Sequence, residues 1–353
     1  MNNKTLVENE ISTIEYISPN IVSFSKKYFH SKLINKSIEI ITVPKSLDLN
    51  TNQKNVGIVL DEKKIFDILS KNYKNVLITL IKTKRDLTKM ALRKPDLVFS
   101  GVKYFYFNNK KIWLNDYLEL KDILYIASSK SSLLKESNKS RAKKIVKKAN
   151  VDTADYFTTE PREHPNRVSI PIEFPLFIKP ITGGDSRGID NNSIVYNYKS
   201  FKKKVFEIKQ NQRCRCLVEK YLSGKEYSVG IFKDNIDASI EAMPIEIIVK
   251  KNIKGHSILD FDTKKNDEEK VVAVLNIKIF NKLSILAKKS FVALGGKSFG
   301  RIDIKMDHLG KPHFVEANLM PGIKKGYFYR SCLLNLKINY KEMILKITAN
   351  ALH

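Results

Sequence analysis

GRIDIKMDHLGKPHFVEAN, residues 300–318, contains two runs of alternating apolar and polar residues on either side of a turn with a glycine. Alternation with a period of two is typical of β-strands, so this stretch predicts a β-hairpin that turns about residues 307–310. The same period places Arg301 and Asp303 on one face of the first strand. The residues predicted to share a face of the second strand are Phe314, Glu316 and Asn318.

Folding this hairpin brings Asp303 opposite residues 314–316. Two carboxylates, an amide and a guanidinium then converge on one patch of the sheet. Hard oxygen ligands of this type suit Mg²⁺, and a fixed guanidinium suits a reacting phosphate. A solvated hairpin with ordinary surface charges explains the same residues equally well, so the hairpin alone leaves both interpretations open.

Length and composition indicate a globular protein of two or three domains, with 353 residues, 42% hydrophobic and 28% charged. No apolar run reaches the roughly 18 residues that a membrane span needs. The N-terminus lacks the basic and then apolar pattern of a signal peptide. The three cysteines, which are too few for a disulfide framework or a zinc cage, are Cys214, Cys216 and Cys332. We expect a cytoplasmic protein with no membrane partner.

The chain is strongly basic, with a formal net charge of +26 and a pI near 9.7. Such a charge often marks a nucleic-acid-binding protein. The lysines are spread along the whole chain, however, and the densest runs, at 143–148 and 202–204, fall in helix-like segments. We interpret these runs as solvated helix faces. Nucleic acid is therefore not the expected partner, although an anionic small-molecule substrate would benefit from the positive field.

Residues 1–134 alternate apolar runs with polar or helical segments. The predicted strands are residues 38–43, 56–60, 76–80 and 96–99. Residues 86–93 predict a short helix before Pro95. Apolar strands separated by helices indicate a parallel sheet covered on both faces. No Gly-x-Gly-x-x-Gly follows any of these strands, so a dinucleotide site is not expected there.

The rest of the chain mixes helices with strands. The predicted elements are a helix at 137–148, a strand at 174–178, a helix at 198–210, strands at 214–219 and 227–232, and a helix at 280–294. A glycine-rich stretch at 182–189 lacks the P-loop spacing, but its N–H groups could close over phosphates beside Lys179. Glu219 and Glu226 flank a linker that could face an adenine edge and ribose hydroxyls. A loop with three glycines is by itself more often an ordinary turn, and a hairpin with exposed glutamates is the other explanation of the second feature.

The motifs that carry a family resemblance occur in the family's order and spacing, and they are Lys139, Lys179 with its glycine loop, Glu219 with Glu226, Arg301 with Asp303, and Glu316 with Asn318. Over about residues 95–330 the chain resembles the ATP-grasp superfamily, most closely its D-alanine–D-alanine ligase branch. The resemblance implies an α/β (α+β) architecture, the ATP-grasp fold. In it, an N-terminal parallel α/β lobe (1–134) precedes a central lobe (135–212) and a C-terminal lobe with the metal site (213–353), and these last two clamp ATP.

The resemblance also implies a role for each matching residue. The residues implied to hold ATP are Lys139, Lys179 and Lys264 at the phosphates, Gly184, Asp185, Ser186 and Gly188 in a flap over them, Glu219, Lys220, Tyr221 and Leu222 in the adenine-facing linker, and Glu226 at the ribose. The residues implied to bind two Mg²⁺ ions, or Mn²⁺, are Asp303, Glu316 and Asn318. The implied catalytic groups are Arg301, the backbone of Gly322, and Ser186 of the flap.

The implied reaction joins a small-molecule carboxylate to an amine. The carboxylate attacks the γ-phosphate of ATP, and cations must separate these two anions. The acyl phosphate hydrolyses readily, so the flap and the loop at 259–264 must exclude water. An amine then attacks the acyl phosphate, and an amide, ADP and phosphate result. The resemblance also favours a homodimer.

The amino-acid half of the predicted site departs from this branch. Residues 100–107 lack the His-Gly and acidic motif that follows the corresponding strand in D-alanine ligases, and Tyr327-Phe328 stand where the family has Ser-Leu. Aromatic residues at 104–107 and 327–329 could line an acceptor pocket or pack in a core. We therefore expect a different carboxylate–amine pair. The alternatives are a D-alanine–D-alanine ligase with a divergent substrate site, a nucleotide-binding module without ligase chemistry, and a basic nucleic-acid-binding protein.

Overall fold

The structure, a computed structural model, describes residues 33–44, 57–184, 186–234, 236–251 and 255–352. The strands are β1 (Ile34–Thr42), β2 (Tyr73–Leu80), β3 (Leu97–Ser100), β4 (Tyr104–Phe107), β5 (Lys110–Trp113), β6 (Leu124–Tyr125), β7 (Tyr156–Thr159), β8 (Leu176–Pro180), β9 (Ile194–Val195), β10 (Cys216–Lys220), β11 (Glu226–Lys233), β12 (Ile240–Ile248), β13 (Lys270–Ala273), β14 (Phe299–Met306) and β15 (Pro312–Asn318). The helices are α1 (Glu62–Leu69), α2 (Lys84–Leu92), α3 (Leu114–Glu119), α4 (Lys130–Glu136), α5 (Lys139–Lys148), α6 (Tyr198–Gln212), α7 (Phe261–Asn266), α8 (Ile277–Leu294), α9 (Tyr327–Leu336) and α10 (Tyr340–Leu352). Within these described residues, no helix is long and apolar enough to cross a membrane.

The first sheet has the strand order β2-β1-β3-β6, and its neighbouring strands are parallel. The predicted parallel sheet is therefore confirmed. The predicted strand at 56–60 is wrong over residues 57–60, which form only one bridge, between Gly57 and Val102. Val56 lies outside the described residues. Gly57 has a φ of +153°, and a Cβ there would lie 1.7 Å from the carbonyl oxygen of Gly101, so the backbone departs from a regular strand at a position that needs glycine.

Both faces of the first sheet are covered, as the sequence predicts. Ile40 and Phe99 on one face join the large core that contains α10, whereas Ile41 and Val98 on the other face pack with α2 and α3. Helix α10 also contacts α1, β3 and β6. The C-terminal helix thus closes the core of the N-terminal sheet.

The second sheet is antiparallel and has the order β7-β10-β8-β9. Helix α5 begins at Asn138, whose side chain accepts a hydrogen bond from the N–H of Arg141, as expected for an N-cap. Strand β10 lies between β7 and β8, so residues on both sides of position 212 contribute to this sheet. The domain boundaries themselves stay a prediction.

The third sheet is antiparallel and has the order β13-β12-β11-β14-β15. Helices α8 and α9 pack against it. Its core includes Phe328, whose ring centroid lies 5.3 Å from the ring centroids of both Phe232 and Phe299. This sheet contains the hairpin predicted from the alternating pattern.

The hairpin of β14 and β15 is confirmed, and its register pairs Asp303 with Glu316 and Arg301 with Asn318. The turn is closed by Asp307, whose Oδ1 accepts hydrogen bonds from the N–H groups of Leu309 and Lys311 at 2.9 Å each. The pairing of Asp303 with Glu316 is the one that a shared oxygen-ligand site requires.

A β-bulge in this hairpin corrects one detail of the prediction. The register shifts between Asp303 and Ile304, so that Ile304 pairs with Phe314 and leaves Val315 as the extra residue. Phe314 is fully buried in the core with Ile304, whereas Val315 and Glu316 line a cavity. The prediction that Phe314 shares a face with Glu316 is therefore wrong, because one extra residue reverses the alternation.

Two lysines from the densest basic runs are buried, with exposed fractions of 1% for Lys143 and 3% for Lys204. The Nζ of Lys204 lies 2.8 Å from Asp190. The Nζ of Lys143 donates to the carbonyl oxygen of Phe314 at 3.2 Å and lies 2.5 Å from Oε1 of Glu219. The interpretation of these runs as solvated helix faces is wrong at these two positions, because each lysine lies on the inner face of its helix.

Replacing Lys143 should destabilise the fold. The Lys143→Met change leaves buried Glu219 with one cationic partner fewer, and we expect the free energy of unfolding to fall by about 3 kcal/mol. The Lys144→Met variant is a matched control because Lys144 is exposed, and its effect should stay within about 0.5 kcal/mol. Urea unfolding followed by circular dichroism measures both, and equal effects would contradict the assignment.

Candidate active site

A cavity lies between the second and third sheets, with about 760 Å³ of empty space that is partly open to solvent. Most of the residues predicted to bind ATP or metal line this cavity, and they are Lys179, Ser186, Glu219, Lys220, Tyr221, Leu222, Glu226, Lys264, Asp303 and Glu316. The fold therefore brings together residues that are far apart in the sequence.

Lys139 lies beside the cavity, at the start of α5. Its backbone N–H donates to the carbonyl oxygen of Ile181, which holds the start of the helix against the end of β8. Its Nζ donates to the carbonyl oxygen of Gly183 at 2.7 Å and lies 3.9 Å from Oε2 of Glu316. The predicted first phosphate-contacting lysine thus lies between the glycine-rich loop and β15.

The glycine-rich loop is connected to the segment before α7. The hydroxyl of Ser186 donates to the carbonyl oxygen of Leu259 at 2.9 Å. Gly188 has a φ of +76°, and a Cβ there would lie 2.7 Å from Cγ of Pro180, so this position needs glycine. Gly184 has open space around it, and Asp185 lies outside the described residues. The loop and the segment at 257–259 together close one side of the cavity.

We call Glu316 and the cations that surround it the floor of the cavity. Burial alone would raise the pKa of the Glu316 carboxyl. Nearby cations outweigh burial and lower this pKa to about 2, and they are Lys139, Lys264, Lys179 and Arg301. Glu316 is therefore ionised at neutral pH.

Arg301 and Asp303 form a bidentate pair, with Nε to Oδ1 at 3.0 Å and Nη2 to Oδ2 at 2.9 Å. The hydroxyl of Ser228 donates to the same Oδ1 at 2.7 Å. Burial opposes the charge of Arg301, but Asp303 outweighs it and raises the pKa of the guanidinium. The pair is thus fixed on rigid strands, as a group that orients a phosphate must be.

The predicted metal ligands are Asp303, Glu316 and Asn318. The first two are cross-strand partners that line the cavity, and Asn318 is paired with Arg301. Over the described part of the chain, no group of three or more His, Cys, Asp or Glu side chains is arranged to hold a metal ion. The predicted set instead combines two carboxylates with one amide, and such oxygen donors suit Mg²⁺.

Glu219 is buried and shared by two lysines, with its Oε2 2.7 Å from Lys179 and its Oε1 beside Lys143. Burial would raise the pKa of Glu219, but these two lysines outweigh burial and lower it. The carboxylate is therefore ionised and held between two lysines, and Glu219 also lines the cavity.

Three residues near the cavity were missed by the sequence analysis, and they are Lys143, Ser228 and Lys305. Lys305 lines the cavity, and its Nζ donates to Oε2 of Glu226 at 2.9 Å. The period-two pattern that places Arg301 and Asp303 on one face also places Lys305 there. The position of Lys305 was therefore predictable from the sequence. Lys143 and Ser228 lie on other elements, so this pattern does not indicate them.

Gly322 is exposed, and open space surrounds the position where a Cβ would be. It follows Leu319, Met320 and Pro321, which are buried. Its N–H is thus carried by a segment anchored directly after the end of β15. Of the three predicted catalytic groups, Ser186 lines the cavity and Arg301 is paired with a lining residue.

Several known proteins are similar to this chain. Residues 145–349, more than half of it, match the sequence model of the family described as D-ala D-ala ligase C-terminus. The D-alanine–D-alanine ligase of Aquifex aeolicus (strain VF5) is 28% identical over 259 residues, which cover 72% of this chain and 82% of that protein. The D-alanine–D-alanine ligase of Sinorhizobium fredii is 27% identical over 240 residues, covering 66% and 73%.

Solved structures of such ligases have the same fold. The D-alanine–D-alanine ligase of Bacillus anthracis complexed with ATP has a TM-score of 0.66 at 18% identity and covers 90% of this chain and 97% of its own. A D-Ala:D-Ser ligase from Enterococcus faecalis has a TM-score of 0.63 at 17% identity, covering 90% and 100%. The resemblance predicted from the motifs is confirmed. This chain belongs to the D-alanine–D-alanine ligase family, whose C-terminal domain it contains, and it has the ATP-grasp fold.

Proposed function

We propose that this protein uses ATP to join the carboxylate of an amino acid or a similar small acid to an amine. We also propose that its two substrates are not a pair of D-alanines. The family makes the chain an ATP-grasp ligase that forms carbon–nitrogen bonds. The observation that carries the proposal is the cation-rich floor around the paired carboxylates of Asp303 and Glu316. It is the environment in which two anions can react with each other.

ATP would lie with its phosphates over this floor. Lys139, Lys179 and Lys264 supply positive charge there, and all three contribute to the low pKa of Glu316. Tyr221, Leu222 and Glu226 also line the cavity. The first two would face the base, and Glu226 would accept hydrogen bonds from the ribose. This orientation directs the γ-phosphate toward Arg301.

The metal ligands fit Mg²⁺ by their chemistry. Asp303 and Glu316 are cross-strand partners, and Glu316, with a pKa of about 2, is anionic at neutral pH. Asp303, Glu316 and Asn318 would hold the metal. When bound, Mg²⁺ supplies charge neutralisation and orientation of the phosphates.

The protein's own groups account for the rest of the chemistry. A substrate carboxylate oxygen attacks the γ-phosphorus, and ADP leaves. Arg301, held in place by Asp303, stabilises the negative charge on the transferring phosphoryl group. An amine then attacks the acyl carbon, phosphate leaves, and the amine loses a proton. The N–H of Gly322 would stabilise the oxyanion of this second step, and the contact of Ser186 with Leu259 helps to exclude water.

The proposal of a different substrate pair rests on the amino-acid side of the site. Tyr327, which stands at the Ser-Leu position of the family motif, is buried, and its hydroxyl donates to Glu269 at 2.7 Å. The guanidinium carbon of Arg301 lies 5.5 Å from the centre of the Tyr327 ring. Tyr327 also packs with Ile245, Ile247 and Leu259, and Phe105 and Phe328 pack in other hydrophobic cores. A bulky phenol thus lies directly beside the reacting groups.

A screen of ADP release with D- and L-amino acids, singly and in pairs, tests this function. We expect ATP turnover only when a suitable acid and a suitable amine are both present, and no turnover with D-alanine alone. The Asp303→Asn variant gives the background rate. Turnover with D-alanine alone would overturn the substrate proposal, and a lack of turnover with every acid and amine would favour a nucleotide-binding module.

Asp303→Asn and Glu316→Gln test the metal site directly. Each change removes an anionic oxygen ligand, and we expect ADP release to fall by at least about 100-fold. Circular dichroism should show the fold retained. Glu207→Gln is a matched control because Glu207 lies on α6, 4.0 Å from Lys203, and is not among the residues that line the cavity, so it should keep full activity. Wild-type ADP release by either cavity variant would show that the metal assignment is wrong.

A further inference from the structure

Glu226 and Lys305 form an ion pair at one end of the cavity. They are direct cross-strand partners on β11 and β14, and the Nζ of Lys305 lies 2.9 Å from Oε2 of Glu226. Both side chains line the cavity, and they are 23% and 16% exposed. The pair is therefore held by the sheet and still accessible to a ligand in the cavity.

The ammonium of Lys305 also has hydrogen-bonding capacity left. Its Nζ contacts the carbonyl oxygen of Ser257 at 3.5 Å in addition to Glu226. A lysine ammonium has three donors, so these two contacts with described residues leave one donor for a ligand. The ionised carboxylate of Glu226 has two acceptor oxygens, and Lys305 engages Oε2, so the carboxylate can accept further hydrogen bonds from a ligand. A donor and an acceptor thus lie side by side on the cavity wall.

We propose that Lys305 is a positioning and specificity-determining residue for the nucleotide, and that the ribose is recognised by the acid–base pair Glu226–Lys305 and not by a lone carboxylate. This inference rests on the proposed function, in which Glu226 faces the ribose. Glu226 accepts a hydrogen bond from one ribose hydroxyl, and the ammonium of Lys305 donates to the oxygen of a neighbouring hydroxyl. A cis-diol, which offers a donor and an acceptor at adjacent carbons, is the ligand group that matches such a pair.

Electrostatics gives Lys305 a second effect on ATP. A carboxylate without a partner would repel the triphosphate, and Lys305 cancels that charge at short range. It also fixes the rotamer of Glu226, because a charge-assisted hydrogen bond between two strand residues restricts both side chains. The charge of Lys305 acts on the triphosphate of every nucleotide, whereas its donor and the fixed rotamer of Glu226 act on the ribose. Loss of Lys305 should therefore weaken the binding of ATP more than the binding of a nucleotide that lacks one ribose hydroxyl.

The chain offers a matched control in a second ion pair next to the first. Lys225 lies 2.8 Å from Glu246, and the side chain of Lys225 is 64% exposed. Neither Lys225 nor Glu246 lines the cavity. The Lys225→Met variant therefore removes a lysine from an equally close ion pair in the same sheet without touching the proposed nucleotide site.

The test measures dissociation constants by isothermal titration calorimetry for ATP, 2′-deoxy-ATP and 3′-deoxy-ATP, with Mg²⁺ and without amino acids. The full-length proteins compared are the wild type, Lys305→Met, Lys305→Arg, Glu226→Gln and Lys225→Met. We expect the wild type to bind ATP about tenfold more tightly than at least one deoxy analogue. In Lys305→Met this preference should fall to about twofold or less, and Lys305→Arg should restore most of it because it keeps the charge and the donors.

The outcomes separate this inference from the proposed function. Loss of the preference in both Glu226→Gln and Lys305→Met, with Lys225→Met unchanged, supports it. Loss in Glu226→Gln alone, or equal weakening of all three nucleotides in Lys305→Met, overturns the role of Lys305 and leaves the ribose assignment of Glu226 intact. Full preference in Glu226→Gln overturns the ribose assignment, and the inference fails with it.

Discussion

The mutual compensation of buried charges is the constraint on which the site depends. Glu219 on β10 binds Lys143 from α5 and Lys179 from β8, and Lys143 also donates to the backbone of β15. A buried charge without a partner costs several kcal/mol, so these elements must meet in one arrangement. Around the cavity floor, the cations among the described residues still outnumber the carboxylates: Lys139, Lys143, Lys179, Lys264 and Arg301 against Glu219, Asp303 and Glu316. This excess of positive charge supports the proposal that the cavity binds an anionic ligand.

The hairpin of β14 and β15 was predictable because its alternation is local. Period two indicated both strands, the turn, and the shared face of Arg301 and Asp303. The bulge at Val315 was not predictable, since nothing in the local pattern states which residue has no partner. That one extra residue allows Phe314 to enter the core while Glu316 still meets Asp303 across the two strands.

The buried lysines show where prediction from the sequence ends. A run of lysines on a helix is usually solvated, and Lys144 is exposed as expected, yet Lys143 is buried. Its burial depends on Glu219, a partner on a distant element that only the assembled fold brings near. Lys305 is different, because its face follows from the same period as that of Asp303. Most residues that line the cavity could thus be predicted from ordered motifs, whereas the partners that neutralise the buried charges could not.

The amino-acid half of the site is harder to predict because it depends on shape more than on charge. Burial and the carboxylate of Glu269 raise the pKa of the Tyr327 hydroxyl, so the phenol stays neutral and donates to Glu269. The Tyr327 hydroxyl therefore donates its hydrogen bond to Glu269 and not to a substrate carboxylate. Tyr327 also fills the space beside Arg301, where the ring and the guanidinium are in contact range. The Tyr327 hydroxyl is thus not free to bind an acceptor carboxylate, and this supports the proposal of a different amine.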